Sequence, residues 1–271
     1  MAWRATVMTR ALLPLIALCA TLLLTCSAGA GAWTQDRHEW FSIMSFDTAS
    51  AGKGYGATSR ANAPVKFDKF YVKNLVEFGL TNRITLFAVS DYVVANATWA
   101  DETPVHARDA SFEGGVRFRI TDRIGVLSVQ SSYKQAGPFD LSNSVGLDSA
   151  RIAEARLLYG TNFKLFGRDG FADIEAAQRW ITRPRPDETV LDLTAGLWLG
   201  SKTMVMLQNF NVISGGDADP PYTYFRTHKI ELSLVRNLSP RWSVQLGGFI
   251  SPAGQNSLVE QGASLALWRR F

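Results

Sequence analysis

Cysteine is confined to Cys19 and Cys26, and histidine to His38, His106 and His228. Everything after Cys26 therefore lacks both a disulfide framework and a thiolate metal site. The histidines show no H-E-x-x-H or other ligand spacing, so no metal centre is expected. No cofactor is expected either. Gly52-Lys53-Gly54-Tyr55-Gly56 is glycine-rich, but no helix pattern follows it to hold a phosphate. Asp217-Ala218-Asp219 is not followed by the twelve-residue loop and terminal Glu of a calcium site. A Ser-His catalytic pair is also missing: around His228 stand Arg226, Thr227 and Lys229, and two positions on is Ile230, not Ser. The net charge of +4 is too small to suggest nucleic acid. One apolar run stands out, residues 11–24, and it falls short of the roughly 20 residues a membrane helix needs. Proline and glycine are ordinary in number, which removes disorder as an explanation.

What is present begins with a leader. Arg4 and Arg10 precede the apolar run, and small residues follow it, with Ala28-Gly29-Ala30 and Ala30-Gly31-Ala32 both matching A-x-A. Residues 1–32 read as a secretory signal peptide, cleaved after Ala30 or Ala32. Cys26 after Leu23-Leu24-Thr25 offers a lipoprotein alternative, which Thr25 opposes. Residues 33–271 form one domain.

That domain alternates. In the last stretch, 257–271, Val259, Ala263, Leu265, Leu267 and Phe271 share one parity, and Glu260, Gly262, Ser264, Ala266 and Arg270 the other. Farther back, Phe70, Val72, Val76, Phe78 and Leu80 oppose Lys69, Tyr71, Lys73 and Glu77. Phe112, Val116, Phe118 and Ile120 oppose Glu113, Arg117 and Arg119. Leu157, Tyr159, Phe163 and Leu165 oppose Glu154, Arg156 and Lys164. Leu191 and Leu193 oppose Asp192, and Ile230, Leu232 and Leu234 oppose Lys229, Glu231 and Ser233.

The connections alternate too. Short ones (81–83, 121–123, 167–170, 201–202, 239–241) take turns with longer polar ones (50–64, 98–108, 137–150, 184–188, 215–221, 253–256). A soluble sandwich has no reason to sort its loops this way, whereas a transmembrane barrel does, with short turns at one rim and long loops at the other. Cutting there leaves about twelve strands, at 39–49, 65–80, 84–97, 109–120, 124–136, 151–166, 171–183, 189–200, 203–214, 223–238, 242–252 and 257–271. The predicted fold is an all-β, antiparallel transmembrane β-barrel. Two aromatic belts are expected: Trp40, Phe166, Phe171, Trp242, Trp268 and Phe271 at the short-turn rim, Trp99, Tyr133, Trp180, Tyr222, Tyr224 and Phe225 at the other.

The ending on Phe271 resembles the C-terminal assembly signal of bacterial outer-membrane β-barrels, with one departure, Arg269 in place of an apolar residue. The turn units Leu80-Thr81-Asn82-Arg83-Ile84, Ile120-Thr121-Asp122-Arg123-Ile124 and Leu238-Ser239-Pro240-Arg241-Trp242 resemble the periplasmic turns of such barrels. The piece from Glu77 to Leu86 is similar to outer-membrane channels associated with aromatic-degradation operons. The resemblance implies an outer-membrane location, surrounding lipid and assembly by the barrel-assembly machinery. It transfers no functional residues.

With lipid outside, the charged parity must face a lumen. The expected pore-lining set is Lys69, Lys73, Glu77, Glu113, Arg117, Arg119, Glu154, Arg156, Lys164, Asp173, Glu175, Arg179, Asp192, Lys229 and Glu231, together with Glu260. Arg117, Arg119, Arg156 and Arg179 are expected to form a basic wall blunted by neighbouring carboxylates. The function that follows is a narrow channel passing small solutes passively through a charge-lined lumen. A plugged structural barrel is the alternative, and an outer-membrane lipid-modifying enzyme a more distant one.

Overall fold

The computed structural model describes residues 31–99, 104–136, 149–216, 219 and 222–271. The leader up to Ala30, most of the 137–150 loop, Asp217 and Ala218 lie outside the described residues.

Twelve strands form, each long enough and alternating enough to cross a bilayer at a tilt. They are β1 (Trp40–Tyr55), β2 (Ala61–Thr81), β3 (Ile84–Trp99), β4 (Val105–Thr121), β5 (Val126–Ala136), β6 (Ala150–Leu165), β7 (Arg168–Ile181), β8 (Glu188–Trp198), β9 (Thr203–Ser214), β10 (Arg226–Asn237), β11 (Trp242–Gln255) and β12. β12 runs as Ser257–Leu258 and then, past Val259 and Glu260, as Gln261–Arg270. Each strand pairs antiparallel with its neighbours in the chain. β1 and β12 pair from Phe41 opposite Arg270 to Ser50 opposite Gln261. The Phe271 N–H donates to the Trp40 carbonyl at 3.0 Å, so the terminal residue closes the seam. The sheet is a closed barrel with no free edge, the only way a sheet satisfies its backbone in lipid.

The outer face is the apolar parity. Phe70, Phe112, Leu157, Leu193, Leu232 and Leu246 all project outward and exposed. A soluble protein would not leave so continuous an apolar surface open to water.

Three expectations need correcting. The longer connections are shorter than their composition suggests: β1 and β2 extend to Tyr55 and back to Ala61, so the 50–64 loop shrinks to 56–60. Small residues such as Ala51, Gly54 and Ala63 read as loop but continue the ladder. The turn after β6 is Phe166-Gly167 rather than 167–170. Both residues have positive φ, 51° and 73°, the geometry of a two-residue hairpin turn that Gly accepts without strain. Third, the belts lose members. Phe171, Trp268, Tyr222 and Phe225 are buried. Phe171 and Trp268 have inward parity and pack inside the short-turn end, where Phe41 meets Trp268 edge-to-face at 6.0 Å. Trp40, Phe166, Tyr133, Trp180 and Tyr224 remain outward and exposed. The Trp99 side chain lies outside the described residues.

Arg269, the departure in the ending, is explained by its outward face. Its guanidinium lies 4.8 Å from the Trp242 ring centre and 4.1 Å from that of Phe271. Stacked between two rings at the rim, it keeps its charge near water while its stem covers apolar surface.

Candidate functional site: the barrel interior

Strand alternation turns the expected charged set inward, and the ion pairs sort it into groups. Arg156 on β6 is the centre of the largest. Its Nε lies 2.7 Å from Glu154 Oε1, and its Nη1 2.5 Å from Glu175 Oε2 and 3.0 Å from Asp192 Oδ2. Arg179 on β7 reaches the other Glu154 oxygen at 2.7 Å and Glu188 at 3.1 Å. Two guanidinium forks thus meet four carboxylates across β6, β7 and β8, the planar geometry that favours Arg over Lys.

On the opposite wall the cations are lysines. Lys69 on β2 and Lys229 on β10 both approach Glu260, each at 3.1 Å. Glu260 sits in the interruption of β12. There its carbonyl accepts from Ser251 N at 2.7 Å and its side chain is delivered between the two ammonium groups. Glu231, near the same site, accepts from Ser264 Oγ at 2.7 Å. A third pair joins Lys134 on β5 to Asp91 on β3 at 3.1 Å, with Ser111 Oγ donating to the other Asp91 oxygen.

Between these groups lies a cavity of about 600 Å³. Lys69, Lys73, Glu113, Glu154, Arg179, Lys229 and Glu231 of the expected set line it. So do Asp47, Asp91, Lys134 and Glu188, which the sequence did not single out. Their strands carry little contrast between faces: Asp47 shares its inward parity with Phe41 and Ile43, and Asp91 with Val89 and Val93. The lining is not wholly polar, since Val89, Val93, Ile152, Val212 and Phe249 contribute as well.

Glu260 lines the cavity as well, whereas Arg156, Glu175 and Asp192 stand behind the lining, and Glu77, Arg117 and Asp173 lie toward the short-turn end. Lys164 and Arg119 lie farther out. Lys164 has inward parity but stands two residues before the hairpin turn, 69% exposed at the rim and paired with Asp169 at 3.1 Å. Arg119 is tied to the turns, with Nη2 donating to Asn82 O at 2.6 Å and Nη1 3.5 Å from Asp122. Arg117 is buried against Glu77 on β2 at 3.0 Å. The four arginines therefore do not form one basic wall. Each is consumed locally: Arg179 by Glu154 one strand away, Arg156 by Glu154 on its own strand and by Glu175 and Asp192, Arg117 by Glu77 two strands away, and Arg119 by Asp122 and Asn82 O at the turns.

The short-turn end is filled. Phe41, Phe171, Met204, Met206, Val235, Ala266 and Trp268 make an apolar cluster inside it, with Trp33 packed against them. Trp33 belongs to residues 31–39, which precede β1 and fold back into the barrel. Ala32 is fully buried; its N–H donates to Asp173 Oδ2 at 2.9 Å and its carbonyl accepts from Ser128 Oγ at 2.6 Å. Arg117 Nη1 donates to Trp33 O at 3.0 Å, Gln35 N to Thr85 Oγ1 at 2.8 Å, and Gln35 Nε2 to Glu77 Oε2 at 2.6 Å. The segment thus bonds side chains of β2, β3, β4, β5 and β7, and it stands across the bore. Sequence reasoning passed over it as the join between leader and first strand.

The histidines take structural places. His106 Nδ1 meets Asn96 at 2.6 Å on β4, a strand where a loop was expected, and His228 Nδ1 meets Asn211 at 2.7 Å. Among the described residues no His/Cys/Asp/Glu group has an arrangement suited to a metal ion.

No protein-family model and no curated protein matches the sequence. Solved structures do match in fold. An outer membrane channel from Pseudomonas putida is 10% identical, with 89% of this chain and 98% of that one covered, at a TM-score of 0.67. The translocator domain of autotransporter NalP from Neisseria meningitidis is 13% identical over 97% and 95%, at 0.55. The beta domain of a Bordetella autotransporter is 11% identical over 87% and 100%, at 0.51. At these identities the likeness is one of fold: the chain is a transmembrane β-barrel of the bacterial outer-membrane type.

Proposed function

We propose that the barrel is a channel for small solutes whose charge-lined lumen is gated at its short-turn end by residues 31–36. The observation that carries this reading is a cavity of about 600 Å³ ringed by ionic side chains of both signs, where a purely structural barrel needs only a packed interior. Twelve strands enclose more space than the filled eight-stranded barrel and less than the open porins of 16–18 strands. The lining charges are mostly paired, so the field across the lumen is local and the ion preference mild. Apolar patches beside the charges suit solutes that carry an apolar body and a polar group. Surrounding lipid and the barrel-assembly machinery are the other partners, the latter through the ending at Phe271.

Planar-bilayer recording tests this. The wild-type protein is expected to show small conductance steps, and deletion of residues 31–36 larger ones. A silent wild type together with a silent deletion would exclude transport. That outcome would favour the second reading, a structural barrel, which draws support from the apolar cluster filling the short-turn end.

A further inference from the structure

The sequence offers two leader cleavage sites, after Ala30 and after Ala32, and the barrel interior distinguishes them. Cleavage after Ala32 would discard Ala32 itself. That residue is fully buried and is held at both ends, through its N–H by Asp173 and through its carbonyl by Ser128. Cleavage after Ala30 keeps both bonds and leaves Gly31 as the first residue.

Gly31 fits that position. Its φ is +80°, a conformation that glycine adopts freely. A Cβ built on it would overlap the Asp173 carboxylate, so that carboxylate is packed directly against the carbon bearing the Gly31 nitrogen. Asp173 itself is 5% exposed, and among the described residues no Lys or Arg lies within salt-bridge distance of it, although the Arg117 charge acts on it from farther away. The nearest cation at this end, Arg117, is engaged by Glu77 at 3.0 Å. The other polar neighbour of Asp173 is the Glu175 carboxyl, itself an acid. Two adjacent acids that share one backbone N–H from Ala32 are under-compensated for their desolvation unless a cation or a shared proton is supplied.

We propose that the leader is removed after Ala30 and that the α-ammonium created on Gly31 is the counter-ion of Asp173. The step is hydrolysis by a signal peptidase. Water adds across the Ala30–Gly31 bond, Ala30 leaves as a carboxylate, and the Gly31 nitrogen carries the proton as ammonium. Processing then supplies the charge that fastens residues 31–36 across the bore, so the segment locks only once the leader has gone. The inference rests on the secretory-leader reading and not on transport. A conducting barrel starting at Trp33 would sink this proposal alone, and a silent barrel starting at Gly31 would sink only the channel.

Intact-mass measurement on protein extracted from outer membranes is expected to give a chain starting at Gly31. A start at Trp33, or at a lipidated Cys26, overturns the proposal. Labelling the α-amine with an acylating reagent is expected to be about tenfold slower in unboiled barrel than in boiled protein, since reaction requires local opening. Equal rates overturn it. Asp173→Asn should remove most of this protection while the barrel keeps its heat-dependent gel shift, and unchanged protection would mean burial alone shields the amine. Should Asp173→Asn fail to assemble, the pH midpoint of labelling in the wild type decides. The charged groups around this position are Asp173, packed against Gly31, and Glu175 and Arg117, which act on Asp173. A midpoint above the ordinary α-amine value of about 8 supports the ion pair, and one at or below it refutes it.

Discussion

Glu77 on β2 and Arg117 on β4 meet over the intervening β3, 3.0 Å apart, with side chains 2% and 8% exposed. Neither is left with the pair alone. Gln35 donates to the second Glu77 oxygen, and Arg117 also donates to Gln130 and to Trp33 O. The pair therefore ties three strands of the wall to the segment crossing the bore. Arg117→Met leaves Glu77 buried and charged, and a loss of about 3–5 kcal/mol is expected. Glu77→Gln combined with Arg117→Met should cost clearly less than the two single changes added together. The midpoint of urea unfolding, followed by loss of the heat-dependent gel shift, measures this; additive costs would mean that the pair is not coupled.

The closing seam makes a second prediction. A Cβ on Gly262 of β12 would run into the Thr48 carbonyl on β1 and the Phe249 ring on β11, the two strands flanking it. Gly262→Ala should cost about 1–3 kcal/mol by forcing those strands apart. Gly248→Ala is the control, since its nearest contact would be Gly262 O at 3.5 Å, and it should be near neutral. The same unfolding midpoint reads both. Equal midpoints would show that the seam absorbs the methyl group.

Much of the wall was legible because water and lipid impose opposite demands on alternate residues. β2, β4, β6, β8 and β10 carry charge on one parity and Phe or Leu on the other, so their inward faces could be read directly. β1 and β3 could not be read this way. Inside them Phe41, Phe87, Val89 and Val93 face a filled or apolar part of the bore, and the contrast between faces disappears. Trp268 and Phe171 were assigned to the belts for the same reason: aromatic type does not say which side a ring takes. Trp268 goes inward because its Nε1 finds Gln245 Oε1 at 3.1 Å and its ring finds Phe41.

The crossing segment was illegible for a different cause. Its partners Glu77, Thr85, Arg117, Ser128 and Asp173 are brought together only by closure of the barrel; Ala32 and Asp173 lie 141 residues apart. No local pattern encodes such a contact. The pairing of arginines was foreseen in outline but not in place. Which carboxylate meets which guanidinium depends on strand register, as in Glu154 standing opposite Arg179 on β7.

Glu260 gives a prediction on the lysine wall. It is shared by Lys69 and Lys229, each at 3.1 Å, at the edge of the cavity. Glu260→Gln removes the carboxylate that both ammonium groups share and leaves Asp47 and Glu231 as the neighbouring acids in the lining. The reversal potential in a salt gradient is expected to move toward anions, and the shift should shrink as ionic strength rises. A conducting variant with unchanged selectivity would place the permeation path away from this wall.

Arg156 gives the converse. It binds Glu154, Glu175 and Asp192 at once, and its own side chain is 9% exposed. Among the described residues, Arg156→Ala leaves Glu175 and Asp192 without an ion-pair partner and Glu154 with Arg179. Glu154 lines the cavity, so part of the unmatched negative charge faces the solute path. Selectivity should move toward cations. Stability should fall by about 3–5 kcal/mol where the carboxylates stay dry, and by much less where water enters to solvate them. Arg117→Ala separates the two effects. Arg117 is equally buried, but it neighbours the crossing segment rather than the cavity, so its loss should destabilise without moving the reversal potential. If Arg117→Ala shifts selectivity as strongly as Arg156→Ala, the permeation path runs through the short-turn end and not along the Arg156 cluster.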